Sequence, residues 1–480
     1  MNEEGFPFAV NGEIMKAQMG GSEGERHHPP TKTDILFDFN HMMSESVGPS
    51  GLTRDDVDAL RPQAAQVHRG IQELRKLGQM PFLDLPHYTD DLTKLSDRAR
   101  EARGRFRRAL VLGIGGSALG PRLLVNALGS PAGIEVEVCD SLDARAWARL
   151  SERTKPEENL LVVVSKSGRT LETWAAFVYF FEKFRAALGD NAWKHLFIVT
   201  DPDKGALHEL SVQRRVPRFG IPPGVGGRFS VLSPVGLFPA ALAGVDVESL
   251  LAGARRMEER CGTDDPWLNP ALMSAVLHER FESLRKRNVR VSLSYAEGLK
   301  DFAPWFAQLW AESLGKKPLD GSRAAVGSTP VCSSGPQDQH SQLQLYLDGP
   351  EDKTVTFLGV EETAEAENLP AFPDWARALD VGDAALLDKR SVLDLSTVSR
   401  AATEEALRAR GRPNQTILLK RLDAYSLGQL LMMAELETVY AGQLLGVNPF
   451  DQPAVEQIKR NVREFLRGKI TPTKSRNYTI

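Results

Sequence analysis

From Arg107 onward, short apolar runs rich in β-branched residues alternate with stretches of helical periodicity, and this alternation constrains the fold more than any other feature. The first runs are Ala109-Leu-Val-Leu112, Ile134-Glu-Val-Glu-Val138, Leu160-Leu-Val-Val-Val164 and Leu196-Phe-Ile-Val-Thr200. A strand such as Leu160–Val164 has no polar face, so it must be covered on both sides, as in a parallel sheet between helices. The intervening segment 171–185 supplies such a cover, with Trp174, Phe177, Val178, Phe181 and Phe184 predicted on one helical face.

A long helical pair is predicted over 248–260 and 268–287, and a second alternation then begins at Val289-Arg-Val-Ser-Leu-Ser294. Its later strands are predicted at Gln342–Tyr346, Thr354–Leu358 and Gln415–Lys420, with helices near 300–313, 396–410 and 426–445. Residues 53–104 read as helical, and 453–467 as a closing amphipathic helix. Residues 1–50 lack sustained periodicity and suggest a partly irregular arm around one strand, Asp34–Asp38. The segment 360–392 is acidic and Pro-containing, as expected of a surface excursion.

At 480 residues the chain suits two domains of ordinary size. The expected class is α/β, with two three-layer αβα domains, mainly parallel sheets, an N-terminal arm and a C-terminal helix. The expected boundaries are 1–104 for the arm and its helices, 105–262 and 263–447 for the two domains, and 448–480 for the C-terminal segment.

The net charge of −4 argues against a nucleic-acid or membrane-surface partner. Cys139, Cys261 and Cys332 are far apart and odd in number, which fits reduced thiols in the cytoplasm. No basic-then-apolar leader opens the sequence, and no apolar run reaches the roughly 18 residues of a membrane span. The nine histidines form no HExxH or other tight ligand pair, and His27–His28 beside two prolines reads as a solvated segment. No metal and no cofactor are expected.

Two loops invite an anion. Gly113-Ile-Gly-Gly-Ser-Ala-Leu-Gly-Pro121 joins a strand to a helix, where glycines let backbone N–H groups approach a ligand. Its spacing is neither GxGxxG nor a P-loop, and alone it could equally be a tight turn. Ser165-Lys-Ser-Gly-Arg-Thr170 occupies the equivalent place after another strand. A helix cap explains one hydroxyl there, but not three in six residues. Gly116, Ser117, Ser165, Lys166, Ser167 and Thr170 are therefore the candidate phosphate clasp.

These loops resemble the sugar isomerase domain, and further segments resemble the glucose-6-phosphate isomerase family. They are Gly224-Val-Gly-Gly-Arg-Phe-Ser-Val-Leu-Ser-Pro-Val-Gly236, Gln308-Leu-Trp-Ala-Glu-Ser-Leu-Gly-Lys316, Gln337-Asp-Gln-His-Ser-Gln342 and the C-terminal stretch Gly442–Lys459. They follow the family's order from residue 113 to 459. Leu314 departs from the usual Asn, Ser-Gly-Arg from Thr-Phe-Thr in the second loop, and Pro223 precedes the Gly-Gly-Arg segment.

The resemblance implies reversible isomerisation of D-glucose 6-phosphate and D-fructose 6-phosphate through an enediolate. Glu312 would be the base, with Gln308 one turn earlier on the same helix face. On local pattern alone Glu312 could as well be a solvated charge, and Arg228 a surface ion pair. By resemblance Arg228 would stabilise the enediolate, His340 and Lys459 would open the ring, and Gln452 would bind the sugar. His340 reaches the site from the neighbouring subunit in relatives, which implies a homodimer with active sites at the interface. A sugar-phosphate-binding regulatory protein would need the hydroxyl loops but not Glu312, Arg228 and Lys459. An isomerase of a related sugar phosphate, such as mannose 6-phosphate, is the other alternative.

Overall fold

Most of the apolar runs become strands of two separate five-stranded sheets in the computed structural model. It describes residues 31–469 except 32, 322–323, 364–366, 372, 378 and 380–383. The strands are β1 (Leu36–Asp38), β2 (Arg108–Leu112), β3 (Glu135–Cys139), β4 (Asn159–Ser165), β5 (Leu196–Thr200) and β6 (Arg218–Gly220). They continue as β7 (Val289–Ser294), β8 (Thr329–Ser334), β9 (Lys353–Glu362) and β10 (Asn414–Arg421).

The first sheet runs β3-β2-β4-β5-β6 and all its pairs are parallel. Every residue of β4 is buried, as a strand without a polar face requires. The second sheet runs β1-β10-β9-β7-β8 and is parallel except for β1, which pairs antiparallel with β10 at Leu36↔Leu418. The chain ahead of the first sheet thus supplies an edge strand to the second.

The helices that matter below are α1 (Gly116–Leu128), α2 (Leu171–Leu188), α3 (Val247–Arg260), α4 (Pro270–Arg285), α5 (Phe302–Leu314), α6 (Ala424–Leu444) and α7 (Pro453–Leu466). Local chemistry sets several of their starts. Asp246, Asn269 and Asp423 accept hydrogen bonds from Ser249, Leu272 and Ser426 N–H groups at the N-caps of α3, α4 and α6. Pro270 occupies the first turn of α4, where no N–H is needed. Helix α6 is buried along almost its whole length and crosses α3 with backbones in contact. A Cβ on Gly253 would lie 1.9 Å from the Tyr425 carbonyl oxygen, and one on Gly428 1.9 Å from that of Leu250.

Three sequence expectations differ from the structure. Gln342–Tyr346 is not a strand; Leu343–Asp348 is a short helix that packs Leu343, Tyr346 and Leu347 onto the second core. On α2 the buried face carries Phe180, while Val178 is 53% exposed. Strands β6 and β8 were not among the predicted runs. The segment 360–392 carries a helical turn at Asp374–Arg377 and a 3-10 turn at Ala384–Leu387 among its described residues. His27 and His28 lie outside the described residues.

Candidate active site

The two hydroxyl- and glycine-bearing loops leave the same edge of the first sheet, because β2 and β4 are parallel neighbours with Leu112 paired to Val163. That carboxyl edge of a parallel sheet is where α/β folds gather ligands. In the second loop Ser165 is buried, and its Oγ lies 3.0 Å from Thr170 Oγ1. Thr170 stands at the N-cap of α2, yet its side chain caps nothing. The hydroxyl is thus not consumed by the helix, which removes the simplest structural explanation for it. Gly168 turns the loop with φ +61°, and its carbonyl accepts from Trp174 Nε1 at 2.8 Å. Ser167 is exposed, and its Oγ accepts from the Arg169 N–H. Burial pushes the Lys166 ammonium pKa down, opposed by nearby Asp201. An arriving phosphate would restore its preference for the charged form.

In the first loop Gly115 has φ +59°, and Gly116 and Ser117 open α1. A Cβ on Gly116 would fall 2.1 Å from the Gly227 carbonyl oxygen, and one on Gly115 3.1 Å from Gln308 Nε2. Glycine at both positions lets this loop touch the Gly-Gly-Arg segment and α5 together. The glycine loop, the arginine and the carboxylate helix therefore meet at one place.

Arg228 is the hub. Its side chain is only 2% exposed, and all five N–H groups point at protein acceptors. Nε donates to Ser313 Oγ at 2.7 Å, and Nη1 to Glu312 Oε2 at 3.2 Å and to Gln452 Oε1. Nη2 donates to the carbonyls of Pro449 at 2.5 Å and Asp451 at 3.1 Å. Burial lowers its pKa and Glu312 draws it back up. Glu312 Oε1 accepts in turn from Gln308 Nε2 at 2.9 Å. Each carboxylate oxygen is thus tethered once, while the side chain stays 30% exposed.

Glu312, Arg228, Gln308 and Gln452 form one bonded cluster. His340 and Lys459 do not join it within the chain. Lys459 Nζ pairs with Glu456 at 2.6 Å on the outer face of α7, a helix with no buried residue. His340 is exposed at the end of the turn Gln337–His340. That turn is fixed from beneath: Asp338 accepts from Ser333 Oγ, the Ser334 N–H and Ser341 Oγ, and Gln339 Nε2 donates to Tyr295 Oη and Thr403 Oγ1. Burial works against the Asp338 charge, but these bonds prevail and hold its pKa down to about 2.

The family model for phosphoglucose isomerase matches residues 88–476. The chain belongs to the phosphoglucose isomerase family. It is 37% identical over 445 residues to the glucose-6-phosphate isomerase of Carboxydothermus hydrogenoformans, covering 90% of this chain and 94% of that one. It is 38% identical to the glucose-6-phosphate isomerase of Rubrobacter xylanophilus, covering 89% and 96%. In structure it resembles a hypothetical protein of Thermus thermophilus with a TM-score of 0.80 at 32% identity, covering 90% and 99%.

Two departures from the family pattern find a physical setting. Leu314 is fully buried, and its Cδ2 would lie 3.4 Å from a Cβ on Gly442, so that position serves packing. Arg169 is exposed on the hydroxyl-bearing loop 165–170. Sequence reasoning did not single out Ser313, Lys316 or the Pro449 and Asp451 carbonyls. Ser313 and Lys316 sit inside the Glu-Ser-Leu-Gly-Lys segment, which was their one available signal.

Among the described residues no helix is long and apolar enough to cross a membrane.

Proposed function

We propose that the cluster around Arg228 is where this chain carries out its family's reaction, the reversible isomerisation of D-glucose 6-phosphate and D-fructose 6-phosphate. The observation that carries the assignment is the tethered, partly exposed Glu312 carboxylate 3.2 Å from a buried arginine. Glu312 takes the C2 proton of the open-chain aldose, and the C–H electron pair forms the C1=C2 bond as the C1=O π pair moves onto O1; a proton then passes from O2 to O1, and C2=O forms as the C1=C2 pair takes the proton back at C1. Bonds from Gln308 and Arg228 fix the carboxylate's orientation, and its remaining lone pairs meet the sugar. A positioned base of this kind contributes on the order of 10²–10⁴-fold.

Arg228 supplies positive charge in a water-poor setting, where it stabilises a developing oxyanion more strongly than in solvent. Its donors are all engaged, so the enediolate oxygen must displace one acceptor. Gln452 Oε1 is the acceptor that can yield, since it belongs to a neutral side chain at the start of α7. Its amide then becomes available to a sugar hydroxyl. Gly116, Ser117, Ser165, Lys166, Ser167 and Thr170 hold the phosphate, and His340 and Lys459 open the ring.

The working unit on this reading is a homodimer, with His340 completing the partner's site. Ile458, Val462, Phe465 and Leu466 leave an apolar stripe exposed on α7, as expected of a surface covered in an assembly. The thiols of Cys139, Cys261 and Cys332 are unpaired, which supports a cytoplasmic location. Mixing inactive Glu312→Gln and His340→Ala proteins under exchange conditions should restore part of the activity; no restoration would refute the shared site. Parallel assays with glucose, mannose and fructose 6-phosphates test the substrate, and the glucose–fructose pair should be strongly preferred.

A further inference from the structure

Lys316 follows Glu312 by one helical turn, just beyond the end of α5. Its side chain is 12% exposed, unusual for a lysine without a role. An ammonium has three N–H groups, and here they go to a single turn. Nζ donates to the Asp451 carbonyl and to Asp451 Oδ1, each at 2.6 Å, and to the Asn448 carbonyl. Arg228 grips the same turn through the carbonyls of Pro449 and Asp451. Two like charges thus converge on three carbonyls and one carboxylate within four residues, 448–451.

The turn leads directly into Gln452 and α7. Helix α7 buries no residue of its own, and Gln452 makes no side-chain cap to it. A segment so lightly packed is held by its point of attachment. At that attachment Phe450 packs against Phe82 and Phe229, while Lys316 and Arg228 bind the carbonyls.

We propose that Lys316 is a positioning residue for the isomerase reaction, fixing the turn 448–452 so that Gln452 and the start of α7 face Glu312. This rests on the assignment of Gln452 and Lys459 to the site. Arg228 binds the Asp451 carbonyl while also serving the Glu312 carboxylate, and Lys316 shares the first task by binding that same carbonyl and the Asn448 carbonyl beside it. Burial makes the Lys316 ammonium easier to deprotonate, and the Asp451 carboxylate opposes this.

The test combines amide hydrogen exchange over residues 450–458 with steady-state kinetics on Lys316→Met, Lys316→Arg and Asp451→Asn. In Lys316→Met these amides should exchange faster, and kcat should fall on the order of 10–100-fold, the scale of a small misplacement at a reacting centre. KM for fructose 6-phosphate should change far less, because the phosphate loops lie on the first sheet. Lys316→Arg should recover much of both effects. Asp451→Asn removes one exposed anchor and should show a smaller change of the same sign, even if the methionine variant folds poorly. Unchanged exchange would overturn the clamp, as would raised exchange with unchanged kcat. Gln452→Ala, measured alongside, separates the failures: if it is impaired, only the clamp is wrong; if it is fully active, the assignment of Gln452 fails too.

Discussion

Gly116 approaches Gly227 so closely that a methyl group on the first would sit 2.1 Å from the carbonyl oxygen of the second. The glycine loop after β2 and the loop carrying Arg228 are in backbone contact, and neither neighbour is a flexible side chain that could swing away. Gly116→Ala must therefore separate the two loops. Steady-state kinetics should show kcat/KM reduced by about 10²-fold or more. Gly104→Ala is the control: nothing lies within 4 Å of its added Cβ, and its helical setting favours Ala by about 0.5–1 kcal/mol. Equal activity in the two variants would show that the loop contact is dispensable.

The crossing of α3 and α6 makes a parallel prediction about stability. Gly428→Ala places a methyl 1.9 Å from the Leu250 carbonyl oxygen, and Gly253→Ala does the same against Tyr425. Each should destabilise the chain by at least about 1–3 kcal/mol, the usual range for overpacking, read as a lower midpoint in urea. Because the two sites face one another, the double variant should be less than additive.

How much of this is legible in the sequence depends on how local the determinant is. Strands β5 and β7 fall on the residues that their apolar runs predict, because burial on both faces leaves no alternative. Gln342-Leu-Gln-Leu-Tyr346 alternates like a strand, but Leu343, Tyr346 and Leu347 also share a helical face, and packing on the second core selects the helix. Strand β8, Thr-Pro-Val-Cys-Ser-Ser, has no apolar alternation; at the sheet edge it tolerates Pro330. Motif spacing points to Glu312, Arg228 and Gln452 separately. It does not reveal that Arg228 spends all its donors on the protein, or that Lys316 grips Asp451, since those facts arise only when residues 84 or more positions apart close on each other.

Asp338 gives a pH signature for the turn that carries His340. Its folded pKa of about 2 lies below the ordinary 3.8, so the carboxylate contributes stability above pH 3.8 that is lost as pH falls toward 2. After allowance for solvent screening, the contribution is about 1 kcal/mol. Asp338→Asn should be less stable than the parent by that amount at neutral pH, and the difference should vanish near pH 2. A gap that persists at low pH would mean that the carboxylate's charge is not what matters.

The phosphate loop is tested by Ser165→Ala combined with Thr170→Ala. Their hydroxyls contact each other and cap no helix, so their removal should leave thermal stability nearly unchanged. KM for the sugar phosphate should rise strongly and kcat should fall, because remote phosphate binding also positions the reacting carbons. An unchanged KM would place the phosphate elsewhere.

On the proposed mechanism Glu312 moves the proton between C2 and C1. Glu312→Gln preserves the side-chain shape but takes the carboxylate away from the buried Arg228 guanidinium, so the variant should be less stable than the parent and is assayed where it remains folded. The decisive measurement is exchange of the substrate C2 proton with deuterated solvent, followed by NMR in Glu312→Gln that still binds a sugar-phosphate analogue. Exchange should be lost together with isomerisation. Exchange at near the parent rate would contradict the assignment of Glu312 as the base.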